Sequence, residues 1–204
     1  MRVTLVDYGA GNVTSVERAL RKLGADSIRA TTPECVQQAE ALLLPGVGHF
    51  GALIRAIDER QMRKPILDAI HRGVPFLGIC LGLHALFAAS KEAPDLAGLN
   101  LLPGEISKLP HIVKLPHMGW NQLRFARESH LLAGIDPDAY FYFAHSYAAL
   151  EGDADGTVAT CDHGSPFIAV LQSRNLHAVQ FHPEKSGPAG ARLLSNFLSQ
   201  ASCH

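Results

Sequence analysis

The chain has 204 residues, of which 47% are hydrophobic and 18% charged, and that length and composition suit one α/β domain spanning residues 1–204 with a sizeable core. Its formal net charge is −1 and no run of lysine or arginine stands out, which excludes an extended basic surface for nucleic acid or an anionic membrane. Partners therefore have to be inferred from individual sites.

Short apolar runs alternate with segments of helical period in the first half, the pattern of a parallel sheet with crossover helices. One helix is expected to stop at Gly24, and a longer helical segment is expected to break near Pro65. The predicted elements are strands over 2–7, 41–46 and 74–80 and helices over 13–24, 51–73 and 81–90.

After about residue 95 the sequence changes to prolines, glycines and short alternating runs. The segments 140–150 and 169–181 predict antiparallel or mixed strands, and 189–201 predicts a final amphipathic helix. We find no repeat, linker or low-complexity segment, so a second domain is not expected.

The cysteines are few and widely spaced, without a C-x-x-C pair. This spacing argues against a zinc knuckle or a small disulfide scaffold, and the sequence has no secretory signal or apolar run of the roughly 18 residues that span a membrane. We expect a cytoplasmic protein with no metal or cofactor. Its four cysteines are expected to be reduced thiols: Cys35, Cys80, Cys161 and Cys203.

Cys80 lies in G-I-C-L-G, residues 78–82, where an apolar strand is expected to turn into a helix. This is the pattern of a nucleophile elbow, in which the backbone N–H of the next residue, Leu81, can face a developing oxyanion. A helix amino terminus there also favours thiolate. The alternative is a buried structural cysteine between glycines that permit close packing, and the short motif does not exclude it.

A nucleophilic thiol needs a base and an orienting group. His182 and Glu184 are two residues apart after an apolar run, so in an extended chain their side chains leave the same face. We assign His182 as the base and Glu184 as the carboxylate that orients it. An H-x-E metal site is the alternative, but the P-C-x-x-C of zinc deaminases is missing.

Glycine-rich loops follow two predicted strands. Gly46, Val47 and Gly48 follow the second, where a loop N–H can reach the same oxyanion, although an ordinary strand-to-helix turn is equally compatible with the spacing. The other, D-Y-G-A-G-N at 7–12, lacks the third glycine and the ribose-binding acid of a dinucleotide site.

These motifs, P-G-V-G, G-I-C-L-G and H-P-E-K-S in that order, resemble the class I glutamine amidotransferases over nearly the whole chain. The segments 6–20, 115–123 and 141–147 are similar to the glutaminase subunits of imidazole glycerol phosphate synthases. The resemblance implies a flavodoxin-like fold with a mixed central sheet and helices on both faces. It also implies a Cys-His-Glu triad that releases ammonia from glutamine, and a (β/α)₈ cyclase partner that makes imidazole glycerol phosphate and aminoimidazole carboxamide ribonucleotide in histidine biosynthesis.

The resemblance further implies contacts at matched positions. Those to glutamine are Leu81, His84, His145, Ser146 and Tyr147, and those to the cyclase are Asn12, Met118, Trp120, Asn121, Tyr142 and Lys185. Core packing is the alternative for Met118 and Trp120. His84 departs from the family, which usually has glutamine there; an imidazole also donates a hydrogen bond, but it is shorter and titratable.

Two other functions stay open at this point. One is a glutaminase for anthranilate, aminodeoxychorismate or purine synthesis, against which P-H-M-G-W-N at 116–121 and the D-Y-G-A-G-N segment count. The other is a non-catalytic scaffold of the same fold, which His84 favours and the intact Cys80, His182 and Glu184 disfavour.

Overall fold

The computed structural model describes residues 2–9, 12–150 and 156–201. The strands are β1 Arg2–Val6, β2 Asp26–Ala30, β3 Leu42–Gly46, β4 Phe76–Cys80, β5 Phe87–Ser90, β6 Leu102–Lys108, β7 His117–Gln122, β8 Arg124–Phe125, β9 Tyr140–His145, β10 Tyr147–Ala149, β11 Thr157–Asp162, β12 Pro166–Ser173 and β13 Leu176–Val179. The helices are α1 Val13–Lys22, α2 Pro33–Gln37, α3 Phe50–Glu59, α4 Arg63–His71, α5 Leu81–His84 and α6 Gly187–Ala201.

A mixed sheet of eight strands forms the centre, in the order β2-β1-β3-β4-β13-β12-β11-β8. The first five strands of this order run parallel, and β12, β11 and β8 continue it in antiparallel pairs. Strands β3 and β4 are buried at every position, as expected for parallel strands covered on both faces. The expected α/β fold with a mixed central sheet is confirmed.

Helices cover both faces of this sheet and divide the core into two layers. Apolar residues of α1 and α6 pack on one face with Phe141 and Phe143 of β9. Those of α2, α3 and α4 pack on the other face with Leu102 and Ile106 of β6. The parallel strands of the central sheet therefore end between two layers of covering structure, and β4 brings Cys80 to that end.

The predicted break in the long helical segment lies slightly before Pro65. Helix α3 ends at Glu59, Gln61 has φ of 54°, and α4 begins at Arg63, so Pro65 sits in the first turn of α4, where a missing N–H is tolerated. Helix α1 ends at Lys22, and Gly24 has φ of 75°, as the predicted stop requires.

The helix predicted over 81–90 is wrong in its second half. Helix α5 is a single turn, and Phe87–Ser90 forms β5, which pairs in parallel with β6. Leu83, Leu86 and Phe87 are all buried, so the segment has no polar face, and an apolar run of this kind does not separate helix from strand. Two smaller sheets, β10-β6-β5 and β7-β9, complete the second half.

Among the described residues, no helix is long and apolar enough to cross a membrane. Cys203 and the Ala10–Gly11 part of the D-Y-G-A-G-N segment lie outside the described residues.

Candidate active site

The elbow at Cys80 is a strained turn held by close contacts. Cys80 has φ of 54° and ψ of −104°, a conformation that costs a non-glycine residue about 1–3 kcal/mol. A Cβ at Gly78 would lie 2.6 Å from the Gly82 carbonyl oxygen, and one at Gly82 would collide with the Leu44 carbonyl oxygen. The two glycines are therefore needed because α5 lies directly on β3 and β4, and it is the cysteine that takes the unusual backbone angles.

His182 and Glu184 meet through a tight turn. The His182 Nδ1 atom lies 3.0 Å from the Glu184 Oε1 atom, and their side chains are 3% and 1% exposed. The extended geometry expected for this pair is wrong, because Pro183–Lys185 forms a 3₁₀ turn with Pro183 at its start, where its fixed φ is suited to a helical turn.

Strand β9 and Ser186 fix this turn in place. The His182 backbone N–H donates to the Tyr142 carbonyl at 2.9 Å. The Ser186 hydroxyl donates to the His182 carbonyl at 2.7 Å and accepts from the Tyr142 N–H at 3.0 Å. Ser186 is 1% exposed and was not predicted as a site residue; its place in H-P-E-K-S is the signal that could have suggested it.

The ionisation of His182 is set by Cys80 and Glu184. Burial alone lowers the pKa of His182, but hydrogen bonds and charges from Cys80 and Glu184 outweigh it and raise that pKa to about 10. The imidazole is therefore protonated at neutral pH and carries a positive charge beside the Cys80 side chain.

A cavity of about 170 Å³ opens over Cys80 and His182, well below the roughly 300–1,000 Å³ of sites for drug-sized ligands. Every residue predicted to contact the oxyanion or glutamine lines it, except Gly46. Ala144, Glu92 and Lys185 line it as well. The lining residues are Val47, Gly48, Cys80, Leu81, His84, Glu92, Ala144, His145, Ser146, Tyr147, His182 and Lys185.

Glu92 was missed by the sequence analysis. Its Oε2 atom accepts from the Phe50 backbone N–H at 2.7 Å, at the start of α3, a favourable place for a carboxylate. It lies two residues beyond β5, and a helix predicted over 81–90 gave no reason to expect it in the cavity.

Tyr8 is buried close to the loop that carries Val47. Burial raises the pKa of Tyr8 to about 12, and the Tyr8 hydroxyl has no hydrogen-bond partner among the described residues. Gly46, the last residue of β3, lies against the elbow, where an added Cβ would be 2.6 Å from the Leu81 Cβ.

The sequence matches the family model described as glutamine amidotransferase class-I over residues 4–201. It is 47% identical to the imidazole glycerol phosphate synthase subunit HisH of Methanothermobacter thermautotrophicus, over 96% of this chain and 97% of that protein. It is 43% identical to the subunit of the same name from Salinibacter ruber, over 96% and 93%. The chain belongs to the HisH family of class I glutamine amidotransferases. The structure of PurLQS from Thermotoga maritima has the same fold, with a TM-score of 0.78 at 19% identity over 98% of both chains.

Several of the partner contacts implied by the HisH resemblance lie together beside the cavity. Met118 is 66% exposed and Trp120 is 55% exposed, so the core-packing alternative for both is wrong. Trp120 pairs with Tyr142 across β7 and β9, and the Lys185 Nζ atom lies 5.5 Å above the Tyr142 ring. These four residues form one surface, which we call the aromatic rim.

The remaining two implied partner contacts connect the surface with the interior. The Asn12 Nδ2 atom lies 3.3 Å from the Glu184 Oε1 atom. Asn121 approaches the His117 Nε2 atom at 3.3 Å, and His117 Nδ1 lies 3.0 Å from His145 Nε2. Asn121 is thus linked through His117 to His145, which lines the cavity.

Proposed function

We propose that this chain is the cytoplasmic glutaminase subunit of an imidazole glycerol phosphate synthase, which hydrolyses glutamine and passes ammonia to a cyclase. The observation that carries the proposal is that Cys80 and His182 line one small cavity, while Glu184 contacts the His182 Nδ1 atom from outside that cavity. Nucleophile, proton carrier and orienting carboxylate stand in the order that acyl transfer requires.

In the first step the Cys80 thiolate attacks the carboxamide carbon of glutamine, and the carbonyl oxygen becomes an oxyanion. The Leu81 N–H, which begins α5 after the elbow, is one donor for that oxyanion, and the Val47 N–H is the second once its peptide turns toward the cavity. His182 then gives its proton to the leaving nitrogen, the C–N bond breaks, and ammonia and a glutamyl thioester remain.

In the second step water hydrolyses the thioester. Neutral His182 takes a proton from the attacking water, the C–S bond breaks, and glutamate leaves while Cys80 and His182 regain their starting charges. The Glu184 carboxylate, 3.0 Å from His182 Nδ1, orients the imidazole and stabilises the imidazolium. The His182 pKa of about 10 supports a resting imidazolium, so this residue acts first as an acid and then as a base.

The cavity suits a small amino acid better than a nucleotide. Its volume is about 170 Å³, and Glu92 offers a carboxylate on its wall, which can pair with the ammonium group of free glutamine. His145, Ser146 and Tyr147 also line the cavity, and Tyr147 is the first residue of β10. We assign Glu92 to recognition of the amino group and the 145–147 segment to the remainder of the substrate.

The aromatic rim is the proposed docking surface for the cyclase. Exposed Met118 and Trp120 are the kind of apolar and aromatic side chains that anchor protein interfaces, and Lys185 lies at both the rim and the cavity. The relatives are named as subunits of imidazole glycerol phosphate synthase, which supports a partner that receives ammonia and makes imidazole glycerol phosphate.

The test is glutamate release in the presence of purified partners. We expect release to rise by orders of magnitude with a histidine-pathway cyclase and its nucleotide ligand, and to remain low with an anthranilate synthase or a purine synthetase subunit. Stimulation by one of those other partners would assign a different pathway. No glutamate with any partner would favour a non-catalytic scaffold.

A further inference from the structure

Gln180 is a buried side chain that touches the proposed nucleophile. It directly follows β13 in the chain and is fully buried, and its Nε2 atom lies 3.7 Å from the Cys80 Sγ atom. Its Oε1 atom lies 2.8 Å from the Nε2 atom of His84, which is 3% exposed. Gln180 therefore contacts both His84 of α5 and Cys80 of the elbow.

The protonation of His84 follows from its surroundings. Burial lowers the pKa of His84 to about 4, although the hydrogen bond with Gln180 opposes the change, so the ring is neutral at pH 7. A neutral imidazole carries one N–H. With Gln180 Oε1 as its neighbour, an oxygen that only accepts, that N–H sits on Nε2 and leaves a lone pair on Nδ1.

The orientation of the Gln180 amide follows from its contact with His84 and from the ionised Cys80 of the proposed mechanism. With the oxygen held by His84, the amide NH₂ group is the part that faces the sulfur. The reverse orientation would place the amide oxygen against a thiolate and leave a buried negative charge beside an acceptor, which is unfavourable.

We propose that Gln180 stabilises the Cys80 thiolate by donating an N–H to its sulfur, and that His84 is the positioning residue that holds the Gln180 amide in this orientation. The inference rests on the proposed function, in which Cys80 is the nucleophile. In this proposal the main role of His84 is not direct contact with glutamine, because the His84 N–H already donates to Gln180. Only the Nδ1 atom of His84 is left for substrate, since it has no hydrogen-bond partner among the described residues.

The proposal explains how histidine can stand where the family usually has glutamine. A glutamine at position 84 can also donate an N–H to the Gln180 oxygen, whereas an apolar side chain cannot. The requirement at position 84 is then a donor of suitable reach, and the Gln180 amide is the group that meets the sulfur in either case.

The rate of Cys80 alkylation by iodoacetamide tests this, because thiolate is the reacting form. Peptide mapping separates Cys80 from Cys35 and from Cys161, which is 1% exposed. We expect Gln180→Leu to slow alkylation at pH 7 about tenfold, the factor that corresponds to one hydrogen bond to a charged group. His84→Leu is expected to slow it several-fold, and His84→Gln to restore a rate near that of the parent.

His177→Leu is the matched control. His177 is fully buried on β13, and its Nδ1 atom lies 3.2 Å from the Phe76 carbonyl oxygen. Two residues separate it from Gln180, so its loss tests the general effect of removing a buried histidine. We expect its alkylation rate to equal that of the parent. Parental rates in folded Gln180→Leu and His84→Leu chains would overturn the proposal.

A measurement on the parent chain covers the case in which the leucine variants do not fold. In ¹⁵N NMR, His84 should show a protonated Nε2 and an unprotonated Nδ1 from pH 8 to pH 5.5; an Nδ1–H tautomer would overturn the proposal. Neither readout needs glutamine turnover. A chain that lacks glutaminase activity but gives these results refutes the proposed function alone, and an active chain that fails them refutes the role of Gln180 and His84 alone.

Discussion

The two walls of the cavity differ in how firmly they are held. On one side, Gly78 and Gly82 place the Cys80 elbow directly against neighbouring backbone, and Cys80 is 6% exposed. On the other side, Val47 is 37% exposed, and a Cβ on Gly48, which has φ of 102°, would meet nothing within 4 Å. The core thus fixes Cys80, the proposed nucleophile, while the loop that carries Val47, the proposed second oxyanion donor, has open space around it. In the proposed mechanism, the cyclase can therefore act on the loop without altering Cys80.

Replacing the nucleophile should give the largest effect. We expect Cys80→Ser to lower glutamate release, measured with the cyclase and its ligand, by more than about a thousandfold, because a serine hydroxyl is far harder to ionise than a thiol. The thermal unfolding midpoint should stay near that of the parent, since the volume hardly changes. Activity close to the parental rate would mean that Cys80 is not the nucleophile.

The triad partners should rank in a fixed order. His182→Ala removes the proton carrier and should slow thioester formation by more than about a hundredfold, whereas Glu184→Ala should leave more residual rate because the carboxylate acts only through His182. Single-turnover measurement of the thioester gives both rates. A larger loss in Glu184→Ala would require the two roles to be reassigned.

Replacing one glycine in each wall with alanine compares how tightly the two walls are packed. Gly82→Ala forces a methyl group into the Leu44 carbonyl and should lower the free energy of unfolding by about 1–3 kcal/mol. Gly48→Ala meets no neighbour, but alanine rarely adopts the φ of 102° found there. We therefore expect a loss of about 1–2 kcal/mol from backbone strain alone, smaller than in Gly82→Ala, together with a weaker response to the cyclase. Denaturant titration and stimulated glutamate release measure the two effects, and equal losses of stability would contradict the distinction between the walls.

The last prediction concerns stability in acid. The pKa of His84 falls from its usual 6.5 to about 4 through burial, so the unfolded chain binds more protons than the folded chain between these values, and stability falls as pH drops through that window. His84→Gln removes this group while the buried His117 and His145 remain. We expect the parent to lose about 2 to 3 kcal/mol more than the variant between pH 7 and pH 4.5; equal losses in urea titrations would contradict the assignment.

The parts of the fold that follow from local sequence were predictable, and those that depend on distant chain segments were not. The buried strands β1, β3 and β4 follow from short apolar runs, and the Cys80 elbow from its flanking glycines. Strand β5 could not be foreseen because its apolar run suits a helix equally well, and its pairing with β6 decides the outcome.

The candidate site shows the same limit. The motifs that contain Cys80 and His182 identify both residues, but the carboxylate of Glu92 reaches the cavity only because β5 replaces the expected helix. Likewise, the contact between His84 and Gln180 joins residues 96 positions apart. The resemblance could therefore suggest that position 84 lies near substrate, while the partner of His84 needed the folded chain.

The comparison between the two walls is tested most directly by measuring Cys80 alkylation and glutamate release on the same samples, with and without the cyclase and its nucleotide ligand. If the nucleophile is already formed and only the Val47 donor is missing, docking should raise glutamate release by about a hundred- to a thousandfold, the worth of one oxyanion donor. Alkylation of Cys80 should not become faster. Alkylation that accelerates in parallel with glutamate release, or full release by the isolated chain, would contradict this account.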